Sequence, residues 1–304
     1  MAIIRDPTLP RINRAATLAL TRSGVHQWNK KDCMIYALGI GMSRDPTDEA
    51  ELRFAYEEKL LAFPTFPAAI GFHGGPLEDI GIDYRYVLHG EHSVTLHRTI
   101  PVTGKASWHS RILGAWDKGP QTGAVFSQEK TLTLVGETEP LATIVTTSFG
   151  RAEGGFGGPS LGQPRPHMIP DREPDANMEI PTDSRQALFY RLSGDLNPLH
   201  ADPETAKAAG FPRPILHGLC SFAICCRAVM QTYCNQDPTR ISHHQLRFAA
   251  PVFPGETLNI SMWRDENIIS FEASVEERGV TVIRNGMTIL ADSSELKTAE
   301  TCSQ

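Results

Sequence analysis

The chain has 304 residues, 40% of them hydrophobic and 21% charged, which is the balance of a globular protein of about two domains and excludes a largely disordered chain. Lysine and arginine number 29 against 35 acidic residues, a net charge of −6 with no dense basic run, which argues against a nucleic-acid or membrane-surface protein. No apolar run approaches the ~18 residues of a membrane span, and the six cysteines form no CxxC pair, so buried free thiols are expected rather than a zinc site or a disulfide framework.

Residues 1–31 carry Arg5, Arg11, Arg14, Arg22, Lys30 and Lys31 against Asp6 alone. Organelle-targeting leaders share this acid-poor composition; an ordered N-terminal arm over 1–24 is the reading favoured here. Strand-like runs follow at Tyr84–Val87, Ser93–Thr99, Ala106–Ala115 and Ala124–Val135. His89-Gly-Glu-His92 is the best ligand-like cluster of this half, and a strand-edge structural role is favoured for it over zinc. A Gly/Pro-rich stretch, Gly150 to Asp175, reads as an inter-domain linker, since glycine loosens the chain and proline stiffens it.

Beyond it the stretch Tyr190-Arg-Leu-Ser-Gly-Asp-Leu-Asn-Pro-Leu-His200 packs two bends into six residues. Gly194 permits a sharp turn at Asp195 and Asn197-Pro198 fixes a second, so that Asp195 and His200 can meet on one side of a cleft. Histidine exchanges protons near neutral pH, and a carboxylate beside it can orient it or share a bound water. A plain capped loop is the competing structural reading. Asp202 and Pro203 then begin a short helix that Gly210 ends. Gly218 opens a run to Cys234 that is apolar on almost every face, the mark of a helix surrounded by protein. The free N–H groups at such a helix start, reached past a glycine, have the layout of an oxyanion hole; close helix packing at Gly218, with His217 a satisfied core residue, is the alternative. Strands are expected at Leu246–Val252, Thr257–Trp263, Ile268–Val275 and Val280–Leu290, wrapped around that helix.

The two halves echo one another. Tyr36-Ala-Leu-Gly-Ile-Gly faces Tyr190-Arg-Leu-Ser-Gly-Asp at an offset of 154, and Pro101-Val-Thr-Gly104 faces Pro251-Val-Phe-Pro-Gly255 at 150 to 151. Two echoes at nearly one offset indicate an internal duplication.

The run Tyr190 to His200, with Ala208-Ala-Gly-Phe211 and Pro214-Ile-Leu-His-Gly-Leu219, resembles the signature of the MaoC-like, (R)-specific enoyl-CoA hydratases of type 2. Tyr36-Ala-Leu-Gly-Ile-Gly, Phe54-Ala-Tyr-Glu57, Pro64-Thr-Phe66, Val87-Leu-His-Gly-Glu91 and Gly154-Gly-Phe-Gly-Gly158 are similar to the hydratase region of peroxisomal multifunctional enzyme type 2, so that roughly residues 25–295 are covered. The resemblance implies an α+β double hot-dog fold: arm 1–24, non-catalytic half 25–149, linker 150–175, catalytic half 176–296 and tail 297–304. It implies reversible hydration of a trans-2-enoyl-CoA to the (3R)-hydroxyacyl-CoA, with Asp195 and His200 as catalytic dyad, Asn197 orienting groups in the site and the Gly218 N–H in the oxyanion hole. Glu57 matches a glutamate of the family's first half. Arg213 and Arg247 are the candidates to meet the CoA phosphates. No metal or redox cofactor is called for, the CoA thioester being substrate. An acyl-CoA is the expected partner and a homodimer is plausible by resemblance, with no nucleic-acid or membrane role. An intracellular, soluble protein is expected, without the Ser-Lys-Leu peroxisomal address. Dehydration of a specialised hydroxyacyl thioester, and a non-catalytic acyl-CoA-binding subunit, stay open as rivals.

Overall fold

The computed structural model describes residue 6 and residues 8–72, 75–83 and 86–291. Tyr84 and Arg85, from the first expected strand, lie outside the described residues, as do the tail 297–304 and Cys302. In chain order the first half holds α1 (Arg14–Leu18), β1 (Thr21–Trp28), α2 (Lys30–Gly39), α3 (Glu49–Leu52), β2 (Val87–Leu96), β3 (Gly104–Asp117), β4 (Ala124–Leu134) and β5 (Pro140–Gly150). The second holds β6 (Ala176–Pro181), α4 (Gln186–Tyr190), α5 (Pro203–Ala208), α6 (Gly218–Tyr233), β7 (Ile241–Phe248), β8 (Thr257–Asp265), β9 (Ile268–Val275) and β10 (Val280–Leu290).

All these strands form one antiparallel ten-stranded sheet in the order β1-β3-β4-β5-β2-β7-β10-β9-β8-β6. Counted outward from its centre, the first half runs β2, β5, β4, β3, β1 and the second β7, β10, β9, β8, β6. Each strand of one half therefore has its counterpart in the same place in the other, which is the internal duplication written as topology. The halves join edge to edge where β2 pairs with β7, His92 lying opposite Leu246 and Val94 opposite His244. That pairing removes two sheet edges that would otherwise expose unpaired backbone groups.

The buried helix is where the sequence places it. Residues of α6 from Leu219 to Cys226, and Ala228 to Met230, are buried. They share one core with Tyr36, Phe63 and Phe66 of the first half and Ile260, Phe271 and Val275 of the second. A helix apolar on all sides is stable only where protein surrounds it, and the curved sheet supplies that surround. The short helix α5 starts at Asp202, whose side chain accepts from the Glu204 N–H, has Pro203 at its first position, and gives way to Gly210 at φ +87°. The five described cysteines are free and buried. Among the described residues the first half has no counterpart of α6; the 3-10 turns Phe66–Ala68 and Pro76–Ile80 stand in irregular chain there.

Three differences from the sequence reading have plain causes. The boundary expected at residue 24 falls inside β1, which pairs with β3 from Thr21↔Arg111 to Trp28↔Gly104. The strand β5, absent from the sequence reading, lies between β2 and β4; its Thr-rich run Thr143-Ile-Val-Thr-Thr147 suits a pleated, half-buried surface. The Gly/Pro-rich stretch is also no loose tether. Asp117 accepts from the Gly155 and Gly157 amides at 2.8 and 2.7 Å, Phe156 stacks on Phe126, and the His167 ring bonds Ser270 at 2.7 Å. It is a strap fastened to both halves, in which glycine supplies the positive φ that successive amides need to converge on one carboxylate.

Candidate active site

Two consecutive turns build the site. A 3-10 turn, Arg191–Ser193, follows α4 and ends at Gly194 with φ +120°, a conformation open to glycine alone without strain. Asp195 comes next and is half-buried. Its carboxylate accepts the Asn197 N–H at 3.1 Å, and the Asn197 side chain accepts the Leu199 N–H at 3.0 Å. Asn197 is thus the cap of a second 3-10 turn, Pro198–His200. It is itself exposed, and within the described structure its work is to hold the loop.

His200 ends that turn and is buried. Its Nδ1 lies 2.9 Å from the Ile215 carbonyl. A carbonyl can only accept, so Nδ1 carries the hydrogen and Nε2 keeps its lone pair. Burial lowers the pKa of His200, with the Ile215 carbonyl and Asp195 opposing, so the ring is neutral at neutral pH and Nε2 can take a proton.

His217, read in the sequence as a possible core residue, stands between these parts. Its ring stacks on that of His200 with centroids 3.8 Å apart, and its Nε2 donates to the Asp195 carbonyl at 3.1 Å. It is fully buried, and its Nδ1 has no hydrogen-bond partner among the described residues. Burial holds its pKa down at about 3, the neighbouring His200 adding to the effect. Ligand atoms of Asp195, His200 and His217 all lie within 4.8 Å of one another. They could take a metal ion in principle, with His200 Nδ1 and His217 Nε2 already engaged by carbonyls. The signal for His217 was in the sequence, in the run Ile215-Leu-His-Gly218; its contact with Asp195 was not.

Gly218 opens α6 directly after His217, and no acceptor is recorded for its N–H among the described residues. The helix start adds positive partial charge at that place. A Cβ there would stand 3.1 Å from Cε1 of Phe248, so glycine also lets that ring close over the helix start. Behind the loop, Tyr190 is buried between Tyr36 of the first half, ring centroids 5.9 Å apart, and His217 at 5.1 Å. The Tyr36 hydroxyl bonds Thr65.

The remaining candidates lie elsewhere. Glu57 is exposed after α3, with its carbonyl taking the Lys30 ammonium at 3.3 Å, and among the described residues no hydrogen bond joins it to the Asp195–His200 cluster. Arg213 donates to the Pro254 carbonyl at 2.8 Å and lies over the Phe253 ring. Arg247 is exposed on β7 opposite Glu91.

The description of the MaoC like domain matches residues 167–286, and that of the MFE-2 hydratase 2 N-terminal domain matches residues 26–151. A relative from Arabidopsis thaliana, "Enoyl-CoA hydratase 2, peroxisomal", is 37% identical over 89% of this chain and 93% of that protein. The crystal structure of a MaoC-like dehydratase from Phytophthora capsici superposes with a TM-score of 0.83 at 32% identity, covering 94% of this chain and 100% of that one. A Mycobacterium tuberculosis protein described as a double hotdog fold superposes at a TM-score of 0.56 over 92% of this chain and 98% of that one; at 12% identity the likeness is of fold alone. The fold is therefore a double hot-dog of α+β class. The chain belongs to the MaoC-like hydratase family, to its enoyl-CoA hydratase 2 branch, and is an enzyme of the hydro-lyase class.

Proposed function

We propose that the protein adds water reversibly to the double bond of a trans-2-enoyl-CoA, giving the (3R)-3-hydroxyacyl-CoA. The observation that carries this reading is His200 with its Nδ1 on the Ile215 carbonyl, which leaves Nε2 as the acceptor, and with a ring nitrogen within 4.8 Å of a carboxylate oxygen of Asp195. Such a pair can hold one water between an acceptor nitrogen and a carboxylate.

The thioester carbonyl takes the Gly218 N–H, and negative charge that develops on its oxygen is met by that donor and by the α6 dipole. Electron density leaves the double bond, and C3 becomes open to attack. The pair withdraws a proton from the water as its oxygen bonds to C3, and a proton is returned to C2 on the same face, so that H and OH add across the bond and nothing else is consumed. Loss of an oxyanion donor typically costs roughly 10²–10³-fold in rate. His217 serves the pair from behind: its Nε2–H holds the Asp195 carbonyl and its ring backs the His200 ring. Arg213 and Arg247 remain the candidates for the CoA phosphates, and no metal or redox cofactor has a step to perform.

Hydration of trans-2-enoyl-CoA thioesters of several lengths, followed by loss of the conjugated-thioester absorbance and by (3R)- and (3S)-specific coupling, tests this reading. Turnover to the (3R) product supports it. Acyl-CoA binding without turnover at any length would move the function to a binding subunit or a more specialised dehydratase.

A further inference from the structure

In a regular strand, side chains three residues apart point to opposite faces. His89 and His92 of β2 do not: their rings lie 5.2 Å apart, edge to face. The cause is a bulge. His89 pairs with Ser148 and Glu91 with Thr147, so Gly90 is an extra residue on β2, and the strand beyond it is turned by one position. Glycine suits the place, because a Cβ at Gly90 would stand 3.2 Å from the Thr147 carbonyl oxygen.

The two imidazoles are thereby brought to the α6 side of the sheet. The ring of His89 packs on Phe248 at 4.7 Å, the same phenyl ring that closes over Gly218. The ring of His92 packs on Phe222 at 4.8 Å, and Phe222 is one helical turn along α6 from Gly218. The pair therefore runs alongside α6 from the place assigned to the thioester carbonyl. Both Nε2 atoms are buried and have no hydrogen-bond partner among the described residues; His92 is 4% exposed and its Nδ1 is occupied by Thr146 at 3.1 Å. Neutral imidazole offers one donor and one acceptor, and a hydroxyl group can satisfy an acceptor nitrogen and a donor nitrogen together. A carboxylate only accepts, and would bring a charge into an apolar place.

We propose that His89 and His92 form a polar reading point for the acyl chain, specific for a hydroxyl group carried beyond C3, and that they set substrate preference without moving the protons of hydration. Of the groups around the pair, Phe222 and Phe248 are apolar, His244 has both its nitrogens engaged, by Thr288 at 2.7 Å and the Phe222 carbonyl at 3.1 Å, and Lys130, whose charge acts on His92, is held by the Gly71 carbonyl. The inference rests on the thioester being seated at Gly218.

The test compares trans-2-enoyl-CoA substrates with matched ones bearing a hydroxyl at successive mid-chain positions. The expected result is a kcat/KM ratio favouring one hydroxylated position by about tenfold, the worth of one good buried hydrogen bond. His92→Leu and His89→Phe should each abolish that ratio, and His92→Gln, which keeps a donor and an acceptor, should retain part of it and guards against a merely misfolded variant. Calorimetric titration with saturated acyl-CoA thioesters, with and without the hydroxyl, gives the same ratio independently of turnover. If plain enoyl-CoA is not hydrated while the hydroxyl still improves binding, the hydratase reading fails and the recognition site stands. A ratio near one at every position, in both turnover and binding, would show that the pair holds a structural water only and would overturn the proposal.

Discussion

His200 has its Nδ1 hydrogen committed to the Ile215 carbonyl and its pKa lowered by burial, so the protonation state needed to accept a proton is its resting state at neutral pH. The expected kcat/KM profile is flat through neutrality and falls on the acid side, with a midpoint below the ordinary histidine value of ~6.5, as the ring protonates. A steady-state profile from pH 4.5 to 8 checks this, and a limb centred above 6.5 would contradict it. Asp195→Asn keeps the shape of the loop and removes the carboxylate charge. It should lower kcat by roughly 10²–10⁴-fold, the usual range for a positioned acid or base, with the melting temperature little changed. At this scale the sequence was a good guide, because Gly-Asp and Asn-Pro declare their turns locally. It could not show that Asn197 is turned outward as a cap, or that Glu57 is exposed, because nothing local says which way those side chains face.

At the scale of elements, the start of α6 joins two requirements at one residue. Gly218 offers an N–H with no acceptor among the described residues and leaves room for Phe248, whose Cε1 and Cζ would stand 3.1 and 3.2 Å from an added Cβ. Gly218→Ala keeps the N–H but pushes the ring or the helix start by a few tenths of an ångström. The expected outcome is a loss of up to about 10²-fold in kcat/KM, since small misplacements at a reacting centre are costly; circular dichroism should show the helix content unchanged. At α5 the Asp202 side chain caps the Glu204 N–H at 3.0 Å, and Asp202→Ala should cost about 1 kcal/mol in urea unfolding. The α6 and α5 boundaries were legible from their glycine, proline and aspartate punctuation. The strand β5 was not, because threonine is ambiguous until the strands on either side of it, β2 and β4, are in place.

At the scale of the molecule, the halves are bound by more than the β2–β7 pairing. Glu51 of α3 is 3% exposed and accepts from Arg227 and Gln231 of α6, both at 2.6 Å, as well as from the Ser43 amide. Replacing Glu51 by leucine leaves the Arg227 charge without its partner, and the expected destabilisation is about 3–5 kcal/mol. Because this tie and the shared core cross between the halves, unfolding of the natural chain should be a single cooperative transition when followed by both fluorescence and circular dichroism. Stability should also depend on acid. Burial depresses His89 to about 4 and both His217 and His244 to about 3, so the unfolded chain binds protons below pH 6.5 that the folded chain refuses. Folding stability is therefore full above pH 6.5 and declines as the pH falls towards 4, by up to about 1.4 kcal/mol per pH unit for each such histidine. Urea midpoints measured from pH 7 to 4.5 should fall steadily, and a midpoint constant over that range would contradict it.

The sequence by itself determined the duplication, the buried helix and the Asp195–His200 loop, because each is carried by near neighbours in the chain: repeated motifs, an all-apolar run, and turn residues at fixed spacing. The tertiary structure alone decided what long-range approach creates. It brought His217 onto His200 and Asp195, set Phe248 over Gly218, made a strap of the Gly/Pro-rich stretch, and, through one extra residue at Gly90, turned His89 and His92 to the same face. A bulge is defined by the strand opposite it, and a stacked ring by the element that delivers it, so neither is written in the residues around it.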